Sequence, residues 1–319
     1  MASISFDLMT TKLFNIQDVF NRLDPKKFAE VMDDGVLLLM DKVINEVAEQ
    51  YMPETWAQIP KEVKDDIVVT ADSESNNFMA QFMHDMQTHV DDVVDIKEMC
   101  VNACVENKHL IVKIFQECGD KEFNFIRRSG FYFGFVFGLF QMLVWFFYPA
   151  SWILPVAGFL VGWLTNWLAL KVIFKPIRPQ NYLGFTVQGI FMKRQVEVSA
   201  IFARVICVEI LHIKAIWTAI FNGRLSKNFH AILRAHTLVF TDKLMIEIEP
   251  LAVAALGADK FLQMKEDIAT KVMEKIPDII DLSYEYTQTA LDMEATIRDK
   301  MAVLPPEDFE VRSECFFWR

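Results

Sequence analysis

Phe131 to Tyr148 reads FYFGFVFGLFQMLVWFFY, and after Pro149-Ala150-Ser151-Trp152 the chain resumes from Ile153 to Phe174 as ILPVAGFLVGWLTNWLALKVIF. The first segment holds no ionisable side chain except Tyr132 and Tyr148. At a helical rise of 1.5 Å per residue its 18 residues cover about 27 Å, close to the ~30 Å hydrocarbon core of a bilayer. The second segment has 22 residues and can cross with room to tilt. Two such runs back to back read as a transmembrane helical hairpin.

Working outward, charge is placed unevenly along the 319 residues, whose net charge is −11. Residues 1–120 carry 10 basic and 23 acidic side chains, residues 121–210 carry 9 and 3, and residues 211–319 carry 13 and 17. The basic block flanks the outer ends of the hairpin, with Lys121, Arg127 and Arg128 before it and Lys171, Lys175, Arg178, Lys193 and Arg194 after it. By the positive-inside rule both termini are expected on the cytosolic, matrix or stromal side. The collar suits anionic lipid headgroups, at about 1 kcal/mol per basic residue near the surface. Nucleic acid is not an expected partner, because the flanking regions are net acidic and would be repelled.

The N-terminus, Met1 to Asp7, has no basic stretch followed by an apolar one, so no cleaved secretory signal is expected. An organelle transit peptide is not expected either, since Asp7 comes early and arginine is absent until Arg22. Five cysteines, without a pairing pattern, suit a reducing compartment.

Outside the hairpin the periodicity is helical and the expected fold class is all-α. Asp24-Pro25 reads as an N-cap with proline at the first helical position, followed by an apolar face of Phe28, Val31, Met32, Leu38, Leu39 and Val43. Further helices are expected over Asn76–Val94, Ile96–Cys118 with a stop at Gly119, Gln195–Ile216, Ser226–Ile248 and Lys260–Met301 with a break near Pro277. No strand is expected. The linear division is an acidic helical region over 1–128, the hairpin over 129–176, a membrane-proximal helical region over 177–310 and an atypical tail over 311–319.

The two flanks also resemble each other. At a constant offset of 201, Lys26, Phe28, Asp41, Lys42, Glu46, Lys64, Asp66 and Ile67 match Lys227, Phe229, Asp242, Lys243, Glu247, Lys265, Asp267 and Ile268. Matches of this kind also arise by chance between amphipathic helices, so a duplication and a coincidence both stay open.

The segment Gly158-FLV-Gly162-WL-Thr165-Asn166-WL-Ala169-L-Lys171-VI-Phe174-Lys175-Pro176, then Gln188-Gly189-IFM-Lys193-Arg194-Gln195-V-Glu197, resembles the membrane-protein family catalogued as domain of unknown function 445. The resemblance covers Gly158 to about Glu310. It implies helical proteins with spans near both ends of the domain, and it supplies architecture rather than chemistry. Leu304-Pro305-Pro306-Glu307 resembles the family's approach to a final span, which together with the offset implies a further apolar run near position 331. Val311–Arg319 departs from that pattern, as a read-through or frame shift would.

Several polar and small residues stand out. Gly130, Gly134 and Gly138 repeat every four residues in the first apolar run, and Gly158 and Gly162 do so in the second, a spacing that lets helices approach closely. The expectation is packing within the hairpin, with association between chains as the alternative. Thr165 and Asn166 lie past the middle of the second run, where an amide seeks a hydrogen bond from another helix; an ion or substrate path is the sharper alternative. Lys171, Lys175, Arg178, Lys193 and Arg194 read as headgroup contacts. Cys100 and Cys104 share a helix face without histidine at ligand spacing, His84 and His89 lie five apart and off a common face, His109, His212, His230 and His236 read as isolated surface or core residues, and Asp91, Asp92 and Asp95 read as a solvated face. Phosphate-binding glycine loops, nucleophile elbows and metalloprotease motifs are all absent from the sequence. No enzymatic activity and no cofactor or metal is therefore expected. The expected role is a membrane-anchored helical scaffold or tether for protein partners or further copies of the chain. The alternative is a transporter, channel or lipid-handling protein acting as an oligomer.

Overall fold

The computed structural model describes residues 15–150, 152–182, 185–246 and 249–307 and is 86% helical. The first helices are α1 (Ile16–Phe20), α2 (Pro25–Tyr51), α3 (Pro53–Gln58), α4 (Lys61–Thr88), α5 (Val90–Val93) and α6 (Ile96–Glu106). Then come the two apolar helices, α7 (Lys108–Phe147) and α8 (Ile153–Phe174), and a short antiparallel pair, β1 (Gln180–Tyr182) and β2 (Phe185–Val187). The chain continues through α9 (Ile190–Lys193), α10 (Gln195–Glu209), α11 (Ile213–Asn222), α12 (Ser226–Met245), α13 (Glu249–Leu256) and α14 (Ala258–Ile279). A 3-10 turn (Ile280–Ser283), α15 (Tyr284–Leu291) and α16 (Met293–Ala302) complete the described chain.

The described chain forms two compact units. One is a bundle of residues 15–100 with Ile210–Met293; the other joins Val101–Glu209 to residues 294–307 and contains the apolar helices.

In the bundle, α2 packs along α4 and α12 along α14, while α14 lies against α2 and α12 against α4. Asp24 caps α2 by accepting from the Lys26 amide at 2.9 Å, and Pro25 occupies the first turn where its missing N–H leaves no donor unmet. Phe28, Met32, Leu39 and Val43 are buried as the apolar spacing predicts, but Val31 and Leu38 point outward. At Gly35 a Cβ would lie 2.6 Å from Leu282 Cδ1, so this glycine lets α2 approach the 3-10 turn.

The offset of 201 is carried into the packing. Phe28, Met32, Val36, Leu39, Met40 and Val43 of α2 are buried, and so are their counterparts Phe229, Leu233, Thr237, Phe240, Thr241 and Leu244 of α12. Ile67, Ala71, Ser75, Met79, Phe82, Met86 and Val90 are buried like Ile268, Val272, Ile276, Ile280, Ser283, Thr287 and Leu291. The cross-pairing of α2 with α14 and α12 with α4 is what an approximate twofold would produce. The bundle is thus two similar helical halves folded against each other; Glu247, one of the matching residues, lies outside the described residues.

Several helix boundaries differ from the sequence expectation. The helix expected to stop at Gly119 breaks earlier, where the Asn107 side chain accepts from the His109 amide at 3.2 Å. Gly119 is instead buried inside α7, which runs unbroken for 40 residues into the apolar segment. Pro277 sits inside α14, and the break falls later, at the 3-10 turn and at Asp292 with its φ of 39°. The helix expected over Gln195–Ile216 ends at Glu209, after which the His212 ring accepts from the Ala215 amide at 3.1 Å and starts α11. The helix expected over Asn76–Val94 starts earlier, at Lys61, ends at Thr88 and is followed by the separate turn α5. The atypical tail 311–319 lies outside the described residues.

Candidate functional site

α7 and α8 each contain an 18-residue window of mean hydropathy 1.7, long and apolar enough to cross a membrane. Almost none of either window is covered by protein, at 0% and 6% buried. Phe131, Phe135, Phe140, Phe146, Phe147, Phe159 and Trp163 are all exposed. α7 and α8 contact each other; Phe133, Phe137 and Gln141 on α7 and Ala157, Val161 and Thr165 on α8 are partly covered, and Ala169 is buried. The Thr165 hydroxyl donates to the Val161 carbonyl of its own helix at 2.7 Å.

The glycines do not lie at this contact. A Cβ placed at Gly130, Gly134, Gly138, Gly158 or Gly162 would meet nothing within 4 Å, which corrects the expectation that they pack the hairpin together. The reason is register: Phe133 and Phe137, the partly covered residues before Gly134 and Gly138, take the covered face and the glycines fall on a neighbouring one. Asn166 is exposed rather than turned toward α7.

The connection after α8 is set by close approach. A Cβ at Gly189 would lie 2.6 Å from the Phe174 carbonyl carbon and 2.7 Å from the Ile173 oxygen, so only glycine lets the chain pass the end of α8. The Gly189 amide donates to the Pro176 carbonyl at 3.0 Å, and Phe191 packs on Phe174 with ring centroids 5.6 Å apart.

The basic collar separates into two groups. Arg194 is turned inward: its Nη1 donates to both carboxylate oxygens of Glu122, at 2.7 and 2.6 Å, and its Nε donates to Glu197 at 3.0 Å. Glu122 is 1% exposed and the Arg194 side chain 12%, so this pair fastens α10 to α7 and Arg194 is not a headgroup contact. Burial works against the Arg194 charge, but the bonds to Glu197 and Glu122 outweigh it and raise its pKa. Hydrogen bonds from Arg194 and Lys121 hold the Glu197 carboxyl down to about 2. Nearby, burial pushes the Cys118 thiol up to about 12, which leaves it an unreactive core group. Arg178 donates to Glu307 at 2.6 Å, and Gln195 Nε2 reaches the Leu304 carbonyl at 2.9 Å, which ties the Pro305-Pro306 segment to α10.

Lys171, Lys175 and Lys193 form the second group. They are exposed, and none makes an ion pair among the described residues. Lys171 and Lys175 border a cavity of about 520 Å³ with Trp163, Asn166, Trp167, Leu170 and Phe174. The Lys171 ammonium lies 4.6 Å from the Trp167 ring centroid, and Trp163 stacks on Trp167 at 6.5 Å and 16°. The sequence singled out Asn166, Lys171 and Lys175 separately; the fold places them on one cavity and adds the two tryptophans.

Elsewhere the isolated polar residues acquire partners. His236 Nε2 lies 2.8 Å from Asp85, and Arg224 donates to Asp95 at 3.0 Å and Glu98 at 2.8 Å. Cys100 and Cys104 are both buried. Among the described residues no cluster of histidine, cysteine and carboxylate side chains is arranged to hold a metal ion. Comparison with protein families, with curated proteins and with solved structures finds no match.

Proposed function

We propose that this chain is an integral membrane scaffold: α7 and α8 form a hairpin in the bilayer and hold the helical bundle at an anionic membrane surface, where it engages protein partners. The observation that carries this reading is the exposed apolar surface of two adjacent helices. Burying a phenylalanine is worth about 1.5–3 kcal/mol, so water around the seven exposed aromatic side chains named above would cost on the order of 10 kcal/mol. A bilayer removes that cost. The resemblance of Gly158–Glu197 to domain of unknown function 445 is part of the same proposal. So is the orientation, with both ends of the hairpin on the cytosolic, matrix or stromal side, because Lys121, Arg127 and Arg128 precede α7's apolar part, Lys171 sits in the last turn of α8, and Lys175 and Lys193 follow it.

Alkaline carbonate extraction of membranes from expressing cells, followed by protease treatment of sealed vesicles, tests this. The chain is expected to stay in the membrane pellet, with both flanks digested from one side. Release into the supernatant would remove the membrane reading, and digestion of only one flank would remove the hairpin.

A second reading, a lipid-handling or transport protein built from several copies, is favoured by the exposure of Asn166 and of the glycine faces that α7 and α8 leave uncovered. Replacement of Asn166 would then reduce flux at unchanged abundance; on the scaffold reading it changes abundance alone.

A further inference from the structure

We propose that the cavity at the C-terminal end of α8 is a site for one diacyl anionic glycerophospholipid, with phosphate at Lys171 and Lys175, the ester region at Asn166 and an acyl chain along Trp163. This rests on the membrane reading above and deepens it.

Charge complementarity identifies the occupant. In a chain of net charge −11, five lysines outside this cavity are held by carboxylates: Lys113 by Glu209, Lys265 by Asp242, Lys243 by Glu74, and Lys271 and Lys275 by Glu46. The cavity at α8 is different. Two lysines border it and, among the described residues, no carboxylate does. An anion supplies the missing charge, and the rest of the lining selects an amphiphile over a free ion, because Trp163, Trp167, Leu170 and Phe174 form an apolar wall.

The order of groups along the helix matches the polarity profile of a phospholipid. Lys175 and Lys171 are one turn apart, about 6 Å along the axis, and Asn166 lies about 7.5 Å further in. A phosphate, then ester carbonyls, then hydrocarbon meet a membrane protein in that sequence. The Asn166 amide, which carries both donors and an acceptor, reaches the depth of the esters without needing a second helix. Trp167 holds the Lys171 ammonium over its face, which limits the directions in which that side chain can extend. General attraction of basic residues to an anionic surface needs none of this arrangement. It would treat Lys193, also exposed but outside the cavity, like Lys171.

The test uses the full chain in phosphatidylcholine vesicles carrying a minor fraction of brominated phosphatidylglycerol, with tryptophan quenching as the readout and brominated phosphatidylcholine as the reference. Quenching is expected to favour the anionic lipid. The preference should fall about twentyfold in the double variant Lys171→Ala with Lys175→Ala and about threefold in Asn166→Leu. Lys193→Ala should leave it nearly unchanged, and soluble glycerol phosphate should not compete. Equal losses from Lys193→Ala and Lys171→Ala, or an unchanged preference in Asn166→Leu, would overturn the site in favour of general surface charge. Competition by glycerol phosphate would overturn the diacyl occupant. A chain that stays in carbonate-washed vesicles without any preference overturns this site alone, whereas one released by carbonate overturns the membrane reading as well.

Discussion

The two halves of the bundle share a skeleton and differ in what fills it. Where α2 and α4 place Val36, Met40, Phe82 and Met86, the matching positions at α12 and beyond hold Thr237, Thr241, Ser283 and Thr287, all buried. Three of the four hydroxyls are accommodated locally: Thr237 donates to the Leu233 carbonyl and Thr241 to the Thr237 carbonyl, both at 2.8 Å, and Ser283 to the Ile280 carbonyl at 2.7 Å. A helix can therefore carry threonine at a core position by returning its hydrogen bond to the preceding turn. The two halves thus bury the same spacing of positions with different chemistry, and at these four positions the first half supplies bulk where the second has smaller side chains.

The comparison is sharpest where both halves kept the same residue. Phe28 and Phe229 are each about fully buried, the first against Trp217 at 6.2 Å and the second edge-on to Phe82 at 6.0 Å. Phe28→Ala and Phe229→Ala should each cost about 3–5 kcal/mol, and thermal unfolding of the detergent-solubilised chain measures it. A large loss from one and little from the other would break the equivalence.

A smaller effect separates the halves. Gln87 Nε2 donates to the Phe20 carbonyl at 2.8 Å and to the Leu23 carbonyl at 2.7 Å, which pins the chain between α1 and α2. Its counterpart Gln288 is exposed. Gln87→Leu should destabilise by about 2 kcal/mol and Gln288→Leu by nearly nothing, read from shifts in the denaturant midpoint. Smaller again, and of opposite sign, is Thr287→Val. The buried Thr287 hydroxyl has no hydrogen-bond partner among the described residues, and its counterpart is Met86, so the substitution should raise stability by about 1 kcal/mol in the same measurement.

The smallest effect is electrostatic and pH-dependent. Hydrogen bonds from Lys271 and Lys275 lower the Glu46 carboxyl from an ordinary 4.5 to about 2. A group whose folded-state pKa is depressed contributes stability that is complete above its unfolded value and is lost as pH falls through the folded one. The contribution of Glu46 should thus decline between pH about 4.5 and pH about 2, and Glu46→Gln should flatten the melting temperature across that window. Because Glu46 is exposed, the change should be modest and weaken in high salt. The Lys243–Glu74 pair, which also joins the two halves and in which Glu74 is lowered by its lysine, should show the same sign.

Much of the helical content was legible because local signals set it: the Asp24-Pro25 cap, the apolar periodicity of α2 and the uninterrupted hydropathy of α8. The offset of 201 was visible in eight residue matches, but its meaning lay in burial, which single-sequence matching does not report. What stayed hidden depends on pairs distant in the chain. Arg194 read as a headgroup contact because it follows an apolar run; only the fold brings Glu122, 72 residues away, against it. Gly119 read as a helix stop because glycine often ends helices, whereas here it is buried within one. The glycines of α7 and α8 have the spacing of a packing face, but the contact between the helices is made one register away.

Zero-length carbodiimide cross-linking of the full chain in vesicles, read by mass spectrometry, tests most directly that the two flanks of the hairpin fold into one bundle. The account predicts Glu46 joined to Lys271 or Lys275 and Glu74 joined to Lys243, links that span more than 160 residues of sequence. Links confined to residues within one flank, with these carboxylates modified but unjoined, would contradict it.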